Sequence, residues 1–391
     1  MDVQQFFREH LFEWFAQNSR PLPWKGERDP YKIWLSEIIL QQTRVEQGLP
    51  YYQKFIEQYP IVRHLADAPE DEVMKLWEGL GYYSRARNLH HSAKLIANEL
   101  GGNFPDTYTG IRALKGVGDY TAAAIASFAF NLPHAVLDGN VFRVLARYFG
   151  IETPTDTPAA KKEFAALAQE LLDPARPGDF NQALMDFGAT HCTPQQPKCP
   201  ACPLRPHCAA FQQNKVAELP MKSKSLVKKD RFFFYLVVHH KGDTFVRKRS
   251  GKDIWQNLWE FPLLELPVFP ADNRELEAEI CNRLFQKKQI APETPEQPTG
   301  VNETNRSVAP ARYGARITSI SRPYRQILTH RVVTAVFCEI NFPDDTPLEV
   351  FENQLFENCL RMSRPELKKN VAVPRLISWY LQESALTLTL I

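Results

Sequence analysis

Four of the seven cysteines, Cys192, Cys199, Cys202 and Cys208, fall within 17 residues at the spacing C-x6-C-x2-C-x5-C. Thiolates this concentrated suit a tetrahedral metal centre, either zinc or a [4Fe–4S] cube. Structural zinc usually pairs two C-x2-C knuckles, and only one is present. The prolines between the thiols (Pro194, Pro197, Pro200 and Pro203) fit loops wrapped around the larger cluster. Met1-Asp2-Val3-Gln4 lacks the basic and apolar parts of a secretory leader, so a reducing, cytoplasmic setting is expected and a disulfide framework is not. Cys281, Cys338 and Cys359 are scattered and read as small buried hydrophobes.

Two carboxylates occupy positions where acid–base chemistry is possible. Glu37 lies inside YKIWLSEIILQQT, with Ile33, Trp34, Leu35, Ile38, Ile39 and Leu40 around nearly every face. Desolvation there favours the protonated carboxyl, as a general acid near neutral pH requires. A carboxylate satisfied by a buried partner is the other reading. Asp138, in AVLDGNVFRVLAR, stands where Asp followed by Gly-Asn commonly caps a helix. A carboxylate at a helix start can also face a cation in a cleft. One carboxyl pushed toward protonation and one kept ionised are the usual equipment for breaking a glycosidic bond.

In LKGVGDYTAAAIASF, Gly116 and Gly118 join a helix ending near Leu114 to an Ala-rich helix. Glycines allow unusual φ values and close approach, and the amides at a helix start can hold an anion. The segment is either a tight interhelical turn or a helix-hairpin-helix that grips DNA phosphate without reading sequence. Asp119 places a carboxylate beside that phosphate, which opposes the second reading unless its side chain turns away.

Helices must position these groups. Periodic segments run near 3–17, 45–58, 70–78, 84–100, 120–130, 139–149, 159–172 and 179–189, and Asp29-Pro30 is a helix start. An all-α domain is expected over 1–212, with the metal loop at 192–208. Lys222, Lys224, Lys228, Lys229 and Arg231 mark a basic linker over 213–231. Beyond it, 232–240 and 243–250 flank Lys241-Gly242 as a β-hairpin. RITSI, VVTAVFCEI and a closing helix near 373–384 make 232–391 a mixed α/β domain, and 291–311 reads as a mobile insertion. A length of 391 residues with 44% hydrophobic and 24% charged residues fits two globular domains in one chain. No apolar run approaches the roughly 20 residues that span a bilayer, so no membrane partner is expected. A net charge of +2 is too mild to mark a nucleic-acid binder by itself.

The segments PYKIWLSEIILQQTRV, WEGLGYYSRARNLH, LKGVGDYTA, VLDGNVFRV, FNQALMDFGAT and the four-cysteine loop follow one another over about residues 20–212. In that order the chain resembles the helix-hairpin-helix DNA glycosylases with a cysteine-loop iron–sulfur cluster, the family of endonuclease III and MutY. The resemblance implies a [4Fe–4S] cluster on Cys192, Cys199, Cys202 and Cys208, a double-stranded DNA substrate and a flipped base. Relatives that also cut the strand carry a lysine just after the hairpin glycines. Tyr120 stands here instead, which implies base release alone, and LSEIILQQT is the MutY form of its helix. The implied target is adenine opposite 8-oxoguanine or guanine. By resemblance Glu37 protonates the adenine ring, Asp138 stabilises or transiently traps the sugar cation, Tyr120 hydrogen-bonds within the site, and Asn140 orients groups around Asp138. Gln42 and Tyr82 match positions that fill or wedge the opened stack, Arg20 and Trp24 match pocket residues, and Gly116 and Gly118 approach phosphate. Core packing is the competing role for Tyr82 and Trp24.

Residues 232–391 resemble the Nudix-like C-terminal domain of the MutY branch through KDIWQNLWEFP and ILTHRV. There a hydroxyl and a histidine, here Thr329 and His330, inspect 8-oxoguanine. No array of glutamates follows WEFP, so the resemblance implies a lesion reader and not a second hydrolase. Two positions depart from the pattern: Leu328 replaces an aromatic, and Gln182 replaces a glutamate that some relatives carry near the adenine pocket. A monomer, cytoplasmic or nucleoid-associated, is expected. The rival readings are an endonuclease III-like glycosylase acting on pyrimidines or mismatches, and a non-catalytic DNA-binding protein with a structural cysteine site.

Overall fold

The computed structural model describes residues 2–223, 227–284 and 314–389. Lys224 of the linker and the insertion expected at 291–311 lie outside the described residues. The chain divides into two compact units, Met1–Leu76 with Ser84–Ser225, and Trp77–Tyr83 with Leu226–Ile391.

The first unit is helical: α1 (Val3–Asn18), α2 (Pro30–Leu40), α3 (Val45–Gln58), α4 (Val62–Asp67), α5 (Glu70–Leu76), α6 (Ser84–Asn98), α7 (Tyr108–Ala113), α8 (Asp119–Phe130), α9 (Gly139–Phe149), α10 (Pro158–Leu171), α11 (Pro177–Thr190) and α12 (Ala209–Gln212). Local sequence sets their starts. Asp2, Asp29, Thr107, Asp138 and Thr157 accept N–H bonds from the first turns, and Pro30, Pro158 and Pro177 sit where an N–H needs no helical partner. Helix α4 is shorter than two turns, so periodicity does not mark it. Helices α2 and α8 pack together, and the buried Ala122, Ala123, Ala124 and Ala126 of α8 leave room for the bulky side chains of α2. The core joins Phe7 of α1, Val141 and Leu145 of α9, Phe164 of α10 and Phe180 and Phe187 of α11, and Cys192, Cys202 and Cys208 pack against it. Each fully buried phenylalanine there contributes roughly 1.5–3 kcal/mol by removal of apolar area from water.

The second unit holds α13 (Asn273–Leu284), α14 (Arg364–Asn370) and α15 (Arg375–Thr389) on an eight-stranded mixed sheet. The strands are β1 (Lys229–His240), β2 (Asp243–Lys248), β3 (Trp259–Glu260), β4 (Leu263–Leu266), β5 (Arg316–Ile320), β6 (Tyr324–Ile327), β7 (Arg331–Asn341) and β8 (Leu360–Met362). Their order is β3-β2-β1-β7-β5, with β4 on β1, β6 on β7 and β8 on β2. Lys241 (φ 53°) and Gly242 (φ 82°) close the β1–β2 hairpin with the two left-handed residues a type I′ turn demands. Strand β1 runs parallel to β7 and is covered on both faces, which accounts for its unbroken apolar run. Phe233, Tyr235 and Val237 share a core with Leu367, Leu376 and Tyr380, whereas Phe234, Leu236 and Val238 share one with Leu276 and Ile280 of α13. The architecture is the expected one, an all-α domain followed by a mixed α/β domain.

Candidate active site and cysteine loop

Glu37 points from the middle of α2 into a protein-lined site and is only 8% exposed. Burial pushes its carboxyl up to about 7; a hydrogen bond with the Tyr120 hydroxyl opposes the rise, and nearby Asp138 adds to it. Tyr120, in the first turn of α8, lies between that carboxyl and Met185, with its hydroxyl 3.4 Å from the Met185 Sδ. A phenol can donate a hydrogen bond to a carboxylate or accept one from a carboxyl, so Tyr120 can partner Glu37 in either protonation state. Asp138 caps α9: its Oδ1 accepts the Asn140 and Val141 N–H groups at 2.9 and 2.8 Å, and its Oδ2 accepts Asn140 Nδ2 at 2.8 Å. Burial raises the Asp138 carboxyl, and those three donors oppose the rise. Burial thus favours a proton on this pair, and the donors on Asp138 direct that proton to Glu37.

The nearly buried Arg143 continues the network. Its Nη2 donates to Asn140 Oδ1 at 2.8 Å and to the Gly188 carbonyl at 2.7 Å, while its Nε donates to the Cys192 carbonyl at 2.8 Å. A chain of hydrogen bonds therefore runs from Asp138 through Asn140 and Arg143 to the first cysteine of the loop.

A cavity of about 370 Å³ opens beside Glu37, with Ser36, Trp24, Lys25 and Gln182 in its walls. Trp24 also packs edge-on to Tyr52 at 5.3 Å, so it serves both cavity and core. Arg20 turns to the fully buried Asp186 through Nε at 2.8 Å and Nη2 at 2.7 Å. Lys25 and Gln182 bind the same carboxylate. Burial lowers the Lys25 amine, with Asp186 acting against that shift. Neither Lys25 nor Asp186 was singled out by sequence; the available signal was an acid inside the apolar FNQALMDFGAT segment.

Gln42 is exposed just past α2 with φ 55°. Arg85 Nη1 donates to the Ile38, Ile39 and Gln41 carbonyls at 2.9, 2.9 and 2.6 Å, fixing the end of α2 that presents it. At the hairpin Gly116 has φ +84°, and a Cβ there would lie 2.7 Å from Asn88 Cβ, so glycine is needed twice over. Gly118 differs: a side chain at that position would meet no protein atom within 4 Å.

In the second unit the Tyr82 hydroxyl lies 2.5 Å from Thr329 Oγ1. The Leu328 N–H bonds to the Arg331 carbonyl at 2.8 Å and closes a turn with Thr329 and the exposed His330 at its tip. Leu328 packs against the sheet core, leaving Ile327 as the exposed apolar residue beside the turn.

The four loop thiols are free and partly buried, with short 3-10 turns at Cys199–Ala201 and Arg205–His207 between them. Burial raises the thiols of Cys199 and Cys208 and pushes that of Cys202 up to about 12; Cys192 adds to all three rises. Arg147, one turn beyond Arg143 on α9, donates from Nη1 to Cys192 Sγ at 3.4 Å and to the Thr193 carbonyl at 2.8 Å. Among the described residues no three His, Cys, Asp or Glu side chains are grouped to hold a metal ion, and no helix is long and apolar enough to cross a membrane.

Residues 35–172 match the HhH-GPD superfamily base excision DNA repair protein family. The adenine DNA glycosylase of Buchnera aphidicola subsp. Baizongia pistaciae is 39% identical over 259 residues, which are 66% of this chain and 73% of that one. The human adenine DNA glycosylase is 45% identical over 216 residues, 53% of this chain and 40% of its own. Among solved structures, a thermostable thymine-DNA glycosylase is similar with a TM-score of 0.51 at 32% identity, covering 54% of this chain and 97% of that one. The chain belongs to the adenine DNA glycosylase family, within the HhH-GPD superfamily of base excision DNA repair proteins.

Proposed function

We propose that this protein is a monofunctional, monomeric glycosylase that hydrolyses the N-glycosidic bond of adenine mispaired with 8-oxoguanine, or with guanine, in double-stranded DNA. The observation that carries the reading is Glu37, a buried acid raised to about 7, in hydrogen-bond contact with Tyr120 and beside Asp138. A glycosidic bond inside a duplex is out of reach, so adenine is flipped into the cavity beside Glu37 while Gln42 and Tyr82 occupy the opened stack. Glu37 gives its proton to the adenine ring as the bond from C1′ breaks, and the bonding electron pair leaves with the base. The sugar remains as an oxocarbenium ion, which the Asp138 carboxylate stabilises or transiently traps. Water then adds at C1′, and its proton restores Glu37. Tyr120 offers no amine for a Schiff base, so the DNA backbone stays intact. Thr329 and His330 read the oxidised guanine.

The cysteine loop fits a [4Fe–4S] cluster on Cys192, Cys199, Cys202 and Cys208. All four donors are thiols, and crowding disfavours bare thiolates. When bound, the cluster supplies iron–thiolate bonds that close the loop and steady the Cys192 carbonyl beneath Arg143.

The test is incubation with a duplex holding adenine opposite 8-oxoguanine. The expected products are free adenine and an abasic strand that is nicked only after added alkali. Absence of adenine release, or release of a pyrimidine from a mismatch or damaged duplex instead, overturns the assignment.

A further inference from the structure

Asp119 is a charged group at the hairpin that the proposed catalysis does not use. Asp119 is the first residue of α8, beside the amides assigned to DNA phosphate, and its side chain is 83% exposed. A bare carboxylate there would repel a phosphate by about 1 kcal/mol at roughly 4 Å even in water. The structure shows where its charge goes. Arg112, from the last turn of α7, donates through Nε to Asp119 Oδ1 at 2.6 Å and through Nη1 to the Val117 carbonyl at 2.9 Å. One guanidinium therefore binds both the acid and the backbone of the turn. The far side of the hairpin is held separately, by Ser92 Oγ donating to the Lys115 carbonyl at 3.1 Å. An exposed ion pair adds little stability by itself, so fastening the fold does not account for placing opposite charges at this edge.

We propose that Arg112 and Asp119 are a charge pair that sets how tightly the hairpin holds DNA: Arg112 cancels the carboxylate, and Asp119 weakens a phosphate grip that would otherwise be stronger on any duplex. The inference rests on the proposed DNA-glycosylase function. A phosphate contact strengthens binding to every sequence alike, so an acid at this point speeds departure from undamaged duplex.

The experiment is equilibrium binding of the full chain to undamaged duplex over a salt series, for the wild type, Asp119→Asn, Arg112→Ala and the double variant. Asp119→Asn keeps the shape of the turn and is expected to bind about fivefold tighter, the size of one such Coulomb interaction. Arg112→Ala is expected to bind at least about fivefold weaker, with a salt slope changed by about one counterion. The double variant, which restores the wild-type sum of charges at these two positions, should return to within about twofold of wild type. If both single variants weaken binding, if neither changes it, or if the double variant stays as weak as Arg112→Ala, the pair acts only as a loop support or not at all, and the proposal fails. Failure of the wild type to bind duplex at any salt concentration would instead remove the DNA-glycosylase reading beneath it.

Discussion

Glu37 in the helical unit and Glu339 in the sheet unit are both largely removed from water, yet their surroundings do opposite things to them. Glu37 is enclosed by apolar side chains, a phenol and a second carboxyl, and its own carboxyl is pushed up to about 7. Glu339 on β7 is also raised by burial, but His239 at 2.6 Å, Tyr380, and Arg364 at 2.9 Å outweigh that and hold it at about 2. Burial alone therefore does not identify a chemical group. Compensation by cations and hydrogen-bond donors decides whether a buried acid serves proton transfer or only joins elements.

This contrast breaks most visibly in activity. Glu37→Gln should lower single-turnover adenine release by on the order of 10²–10⁴-fold while preserving duplex binding, the span expected for loss of a general acid. Near-normal rates would remove Glu37 from that role. Glu339→Gln should leave adenine release near wild type but destabilise the sheet unit by about 1–3 kcal/mol, read by denaturant unfolding, since solvent partly screens the cluster. An unchanged midpoint would show that the Glu339 network holds nothing.

The pH dependence of stability separates the two acids by sign. The folded-state carboxyl of Glu37 lies above its ordinary value of 4.5, so its contribution is fully present below pH 4.5 and is lost as pH rises through about 7. Glu37→Gln should therefore gain stability over wild type between those limits, by up to a few kcal/mol. Glu339 lies below 4.5, so its contribution is present above that pH and is lost as pH falls toward about 2. The deficit of Glu339→Gln should shrink over that acid range by about 1–2 kcal/mol after screening. Parallel pH trends for the two variants would contradict the contrast. The smallest expected effect is at the Thr329–His330 turn: if it reads the lesion as proposed, Thr329→Ala should cut the preference for 8-oxoguanine over guanine about tenfold, the value of one polar contact. Equal discrimination by the variant would take Thr329 out of recognition.

What sequence could reveal follows from how local each feature is. The start of α2 at Asp29-Pro30, the cap at Asp138, the turn at Lys241-Gly242 and the cysteine spacing are written in neighbouring residues and were readable. Glu37 stood out because an acid within an apolar helix is anomalous wherever that helix packs. The salt-bridged Asp186 was hidden because its partners Arg20 and Lys25 lie more than 160 residues away. Arg112 escaped although it is near in sequence, since only the folded turn brings its guanidinium to both Asp119 and Val117. In the sheet unit, β3, β4, β6 and β8 are short and carry no clear period of two. The parallel pairing of β1 with β7 joins segments about 100 residues apart. The roles proposed for Gln42 and Tyr82 come from the family resemblance alone, since composition and periodicity do not contain them.

The central claim is that buried Glu37 delivers the proton that makes adenine a leaving group. Single-turnover adenine release from a duplex with adenine opposite 8-oxoguanine, followed from about pH 5 to about pH 9, tests it most directly. The rate is expected to fall above about pH 7 as Glu37 loses its proton. A rate that stays level to about pH 9 would contradict it.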